Sequence, residues 1–157
     1  MRVQDIIVKE NNAATKAFFD AVRKVPADKL EWKPGEDARN VLSIAKEVAL
    51  STGWPMGLLT PGAKLDFTPE VMAEHEKQLN ALNNLEDCEA KAQAGVSALN
   101  SAVANIPDEH LDQTAHLPFG ESHDWPIYEV AGVYAWNARY HTGQINYIQT
   151  LYGDKSM

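Results

Sequence analysis

Apolar residues recur at three- and four-residue spacing along four long stretches of this 157-residue chain. A helix that buries one face shows that period. In the first stretch Ala14, Phe18, Val22 and Val25 form the stripe, with Ile7 a turn and a half earlier. This helix starts between Gln4 and Asn12 and runs to Val25, where Pro26 stops it. The second opens at Asn40, a good N-cap type, and carries Val41, Ile44, Ala45, Val48 and Thr52. It reaches about Gly53, with a kink or stop at Trp54-Pro55. The third carries Leu85, Cys88, Ala92, Val96, Leu99, Val103 and Ile106, and ends at Pro107. In the last, Pro126 to Tyr152, Val130, Tyr134, Ile145 and Ile148 share one arc, with Val133 and Leu151 on a shoulder.

A shorter amphipathic helix is predicted after Thr68-Pro69, an N-cap followed by proline at the first helical position, with Met72, His75, Leu79 and Leu82 on its stripe. Two long connections, PADKLEWKPGEDAR and DQTAHLPFGESHDW, follow the first and third helices. The second of them has room for an extended stretch from Ala115 to Phe119 and a turn at Phe119-Gly120. Each connection follows a short echo, VPADKL and IPDEHL, as in a chain of two helix–loop–helix halves. Nothing reads as a confident strand. The expectation is one all-α domain over residues 1–157, an up-down-type four-helix bundle.

The polar positions interrupt this pattern in one place. Asn137, His141 and Gln144 lie near the middle of the last helix's apolar arc, at i, i+4 and i+7. A buried amide or imidazole costs about 1–3 kcal/mol if left unpaired. These three therefore need partners: one another, water, a metal ion or a ligand. They belong either to a satisfied core network or to a polar pocket inside the bundle, where bundles build their sites. Glu47 sits on the shoulder of the second helix's stripe, beside Ile44, Ser51 and Trp54, and periodicity alone reads it as solvated. His110, His116 and His123 fall in the loop before the last helix and read as solvated, while His75 reads as packing. No phosphate-binding glycine loop, HExxH, CxxC or GxSxG motif occurs.

Composition narrows the classes. A net charge of −8 and the lack of any lysine or arginine run argue against nucleic-acid or anionic-membrane binding. The single cysteine, Cys88, cannot form an internal disulfide, and it lies on an apolar stripe, which suits packing in a reducing compartment. No signal peptide and no membrane-length apolar run is seen, so a cytoplasmic protein is expected.

The run Asn137-Ala-Arg-Tyr-His141-Thr-Gly143-Gln144-Ile145 resembles the HxxxHxGQ(I/L) signature of the DinB-like family, named for damage-inducible proteins. Trp32-Lys33-Pro34 is similar to that family's W-x-P before helix two. Asn40 to Val48 resembles its S-x-x-E-(I/L)-x-x-H-(L/I). The resemblance implies a four-helix bundle, a homodimer, and a divalent metal held by three histidines, one in the second helix and two in the last. Position for position, those ligands are Glu47, Asn137 and His141 here, so only the last histidine is kept. A carboxylate, an amide and an imidazole suit one divalent ion of the zinc, nickel or manganese class, held more weakly than by three imidazoles.

Family members include low-molecular-weight thiol S-transferases, a mycothiol-dependent isomerase and proteins called hydrolases. The implied function is metal-dependent chemistry of the thiol-transferase or hydrolase type, with a small-molecule or thiol ligand and Trp54, Tyr134, Tyr140 and Gln144 as pocket walls. The alternative is a metal-free, non-catalytic dimer that keeps the fold for binding or scaffolding, with Glu47 accepting from His141.

Overall fold

Caps and prolines set the helix bounds. The Asn40 side chain accepts from the Ser43 N–H at 2.8 Å, and the Asn84 side chain accepts from the Asp87 N–H at 2.8 Å. Each satisfies an N–H that the helix itself cannot. In this computed structural model residues 1–65, 67–117 and 123–154 are described. Six helices are seen among them: α1 (Val3–Val22), α2 (Val41–Leu50), α3 (Gly53–Met56), α4 (Pro69–Ala81), α5 (Leu85–Ala104) and α6 (Ile127–Leu151). The only described sheet is an antiparallel pair, β1 (Thr114–Leu117) with β2 (His123–Pro126). The fold is thus an all-α bundle with a token of strand. The turn expected at Phe119-Gly120 lies outside the described residues.

Pro126 is itself the N-cap of α6 and not its first helical residue. The second helix breaks after Leu50 and resumes as α3, with Pro55 inside it, because a proline near a helix start forfeits no hydrogen bond. α4 keeps its expected start, with Thr68 Oγ1 accepting from the Val71 N–H at 3.3 Å, but it buries no residue. Met72 and His75 are exposed, because α4 packs outside the bundle, on α2.

Spatial neighbours are not sequence neighbours. α1 lies against α5 and α6, and so does α2, which puts α1 and α2 on opposite corners. Gln4 reaches the Ile106 carbonyl, Asn11 reaches Asn100, and Arg23 reaches Glu89, so α1 and α5 are antiparallel. α6 begins where Ile127 and Tyr128 donate to Gln113 and Leu111, just past the end of α5. It ends with Gln149 on the Ala21 carbonyl and Tyr152 edge-on to Trp32. So α6 runs parallel to α1. The start of α2 is tied to Leu30, near the end of α6, so α2 runs down where α6 runs up. The order is up, down, down, up. The long connection from α2 to α5, which carries α3 and α4, lets the chain return before the second descending helix.

The main core gathers Phe18, Phe19, Val48, Leu99, Ile127, Tyr134 and Ile145 among the four long helices. A second cluster, Leu58, Ala115, Leu117 and Val130, seals the β-hairpin onto α6, with Trp54 and Trp125 against it. α5 passes so close to the junction between α2 and α3 that a Cβ on Gly95 would collide with Thr52 Oγ1. The α2–α6 edge is the thinnest of the four sides of the bundle. No described helix is long and apolar enough to cross a membrane.

Candidate functional site

That thin edge carries the polar residues. Glu47 projects from the end of the second turn of α2 and His141 from the middle of α6, and the antiparallel crossing brings them together. His141 Nε2 lies 2.9 Å from Glu47 Oε1, and His141 Nδ1 lies 2.6 Å from Gln144 Oε1. The imidazole is 3% exposed as a residue, while the Glu47 side chain is 40% exposed. The pair thus has a buried root and a wet face. Asn137 stands one turn before His141 on the same face, and its Oδ1 is buried with no hydrogen-bond partner.

Sequence reasoning missed one member. Arg39, in the connection before α2, places Nη1 on Glu47 Oε2 and donates from Nη2 to the Ser43 carbonyl at 3.0 Å. Both Glu47 oxygens are therefore engaged, one by an imidazole and one by a guanidinium. The hydrogen bond from His141 leads, and burial works against it. With Arg39 close by, the Glu47 carboxyl is pulled down to about 2 from an ordinary 4.5. A signal existed. Arg39 directly precedes the N-cap Asn40, at the positive end of α2, where a cation is disfavoured unless an acid compensates.

The wall candidates separate. Gln144 is in the site. The Tyr140 ring meets the His141 ring edge-on, with centroids 5.3 Å apart, and stacks on exposed Trp136. Tyr134 is fully buried elsewhere, its hydroxyl 3.1 Å from Thr15 Oγ1 between α6 and α1. Trp54 packs against the hairpin cluster. Cys88 is fully buried, and burial pushes its thiol up to about 11, which makes it a packing residue and not a nucleophile.

Two clefts flank the pair. One of about 440 Å³ is bounded by Arg39, Ser43, Lys46, Glu47 and His75. The other, about 510 Å³, has Arg39, Tyr140, Gln144, Tyr147 and Leu151 in its wall. Arg39 borders both. His75, read from the sequence as packing, instead faces the first cleft from α4. His116 pairs with Asp124 across the hairpin at 3.2 Å, and His110 is half-buried in a 3₁₀ turn.

This architecture defines a class. A Bacillus subtilis protein, YfiT, described as a probable metal-dependent hydrolase with an unusual four-helix bundle topology, superposes with a TM-score of 0.70 at 13% identity. The match covers 96% of this chain and 87% of that one. A mycothiol-dependent maleylpyruvate isomerase matches at TM-score 0.68 and 10% identity, over 92% of this chain and 61% of that one. A conserved protein from Enterococcus faecalis matches at TM-score 0.66 and 14% identity, over 96% and 97%. The fold is the DinB-like four-helix bundle. No protein-family model and no curated protein sequence matches the chain.

Proposed function

We propose that this chain is a DinB-like protein whose Glu47–His141 pair, with Asn137, takes up a divalent cation weakly and serves chemistry of the hydrolase or thiol-transferase type. One observation carries the reading. His141 Nδ1 lies 2.6 Å from Gln144 Oε1 and Nε2 lies 2.9 Å from Glu47 Oε1; in the tautomer that gives Nδ1–H to Gln144, the Nε2 lone pair faces the carboxylate. Two acceptors facing at that distance need a proton or a cation between them. The other donors suit a cation: an ionised carboxylate and an orphaned, buried amide oxygen on Asn137. Gln144 acts behind them, fixing the tautomer and the tilt of the ring. A divalent ion held there supplies a positive charge that lowers the pKa of a thiol or water. The half-open edge admits a small molecule from either cleft, and Tyr140 and Tyr147 give it an apolar wall. The neighbours' descriptions, a probable metal-dependent hydrolase and a mycothiol-dependent isomerase, support this class of chemistry.

A specific observation favours a second reading, a metal-free binding protein. Arg39 already balances Glu47, and among the described residues no three of His, Cys, Asp and Glu are grouped to hold a metal. In that reading the two ring nitrogens of His141 serve only as hydrogen-bond partners of Glu47 and Gln144. Added Zn²⁺, Ni²⁺ or Mn²⁺ separates the two. Under the first reading it raises the melting temperature of the native protein by mass action, and His141→Ala abolishes both the shift and the metal content measured by elemental mass spectrometry. A flat melting temperature across all three ions overturns it. His141→Ala then still costs about 1–3 kcal/mol by stranding Glu47 and Gln144.

We also propose a cytoplasmic homodimer. Trp136 and Tyr147, 63% and 65% exposed on α6, leave aromatic area that a second copy would cover. Light scattering that gives a monomer at high micromolar concentration rules this out.

A further inference from the structure

We infer that Arg39 is a built-in competitor for the Glu47 carboxylate, and that it sets how tightly the site takes a divalent cation. The inference rests on the metal reading above. Glu47 offers two oxygens, one turned to His141 and the other held by the Arg39 guanidinium. A cation that uses Glu47 must share the carboxylate with a fixed positive charge beside it, or displace that charge. Either route weakens binding, through lost lone pairs and through like-charge repulsion.

The contact is built so that it can be released. Arg39 lies outside regular structure, between Ala38 and the N-cap Asn40, and its side chain is 42% exposed. Its second anchor is a single backbone carbonyl, that of Ser43. When it swings away, two clefts lie beside it, so its movement opens Glu47 Oε2 without disturbing the core. Lys46 lines one of those clefts beside Glu47, so a second cation stands near the carboxylate there.

Calorimetric titration with Co²⁺ at fixed pH and ionic strength tests this on the full chain. Wild type, Arg39→Gln, Arg39→Lys, His141→Ala and the double variant Arg39→Gln/His141→Ala are compared, with circular dichroism to verify folding. Arg39→Gln is expected to bind Co²⁺ about two- to fivefold more tightly than wild type, the scale of one partly exposed ion pair. Arg39→Lys keeps the charge and should stay close to wild type, and the double variant should lose the gain. If Arg39→Gln binds no more tightly than wild type while His141→Ala loses the metal, the role of Arg39 is overturned and the metal reading stands. If neither wild type nor Arg39→Gln binds Co²⁺, both fall.

Discussion

Two polar regions interrupt the apolar interior, and they are built differently. The first lies along α1. Gln4, Asn11 and Gln149 are fully buried there, and each donates through its amide nitrogen: to the Ile106 carbonyl and Asp108, to Asn100, and to the Ala21 carbonyl. Their amide oxygens are buried without partners. The second region is the α2–α6 edge, where Arg39, Glu47, His141 and Gln144 form a charged line with both carboxylate oxygens and both ring nitrogens engaged. Neutral amides fasten helix to helix in the dry interior, where a fully buried charge would be too costly. Ionisable groups appear where the bundle is thin enough for water to reach one side of them. The difference teaches where to look for chemistry: at the exposed end of a complete charged network, not at the most deeply buried polar residue.

Replacing one of the fully buried amides breaks the comparison first, with the largest effect. Gln149→Ala should cost about 2–4 kcal/mol in denaturant unfolding, mainly through the cavity it leaves. Gln149→Met should recover most of that loss, because the Ala21 carbonyl keeps the Lys24 N–H as a donor at 3.2 Å and the orphaned Oε1 disappears. If Met is as damaging as Ala, the amide is doing more than filling space, and the two regions are less different than they look.

The helices were legible because burying one face of a cylinder leaves a periodic trace. The caps Asn40 and Thr68 marked two starts, while α1 and α5 end at Val22 and Ala104, two or three residues short of the Val25 and Ile106 expected from the prolines, and α1 begins at Val3, before the expected window. Their arrangement around the bundle left no trace, because an apolar stripe says that a face is buried and not which helix buries it. For the same reason α4 looked amphipathic yet fully buries none of its own residues, with only Leu79 of its stripe half-buried against the core, and Leu151, placed on the shoulder of a buried arc, is 47% exposed.

At the site, the spacing of Asn137, His141 and Gln144 marked the α6 face. Glu47 came from resemblance, because its own helix places it at a shoulder. Arg39 was not read at all. It belongs to no periodic element, and its partner is eight residues away across a cap. Gln4, Asn11 and Gln149 were missed because a buried glutamine or asparagine looks like any surface residue until its carbonyl partner is located.

The smallest expected effect sharpens the comparison most, because it isolates the charge. Glu47 has its carboxyl drawn down to about 2 from 4.5, with the His141 hydrogen bond as the leading cause. A depressed folded value means that the stabilisation is fully present above the unfolded value and is lost as pH falls from about 4.5 toward 2. Glu47→Gln removes that titration while keeping the side chain's size. At neutral pH the variant should be less stable by no more than about 1 kcal/mol, since the group is partly exposed and screened. Between pH 4.5 and 2.5 the gap should close, because wild type loses what the variant never had. Other acids with lowered values, among them Asp5, Glu10 and Asp20, are present in both proteins and cancel in the difference. Each of these acids pairs with a half-exposed or exposed cation and has no buried partner, so its ion pair fades with added salt. The Glu47 increment, rooted on a buried imidazole, should survive salt better. Parallel stability curves for the two proteins across that pH range would show that the charged line contributes nothing the amide could not. The α2–α6 edge would then be a hydrogen-bonded seam of the same kind as the one along α1.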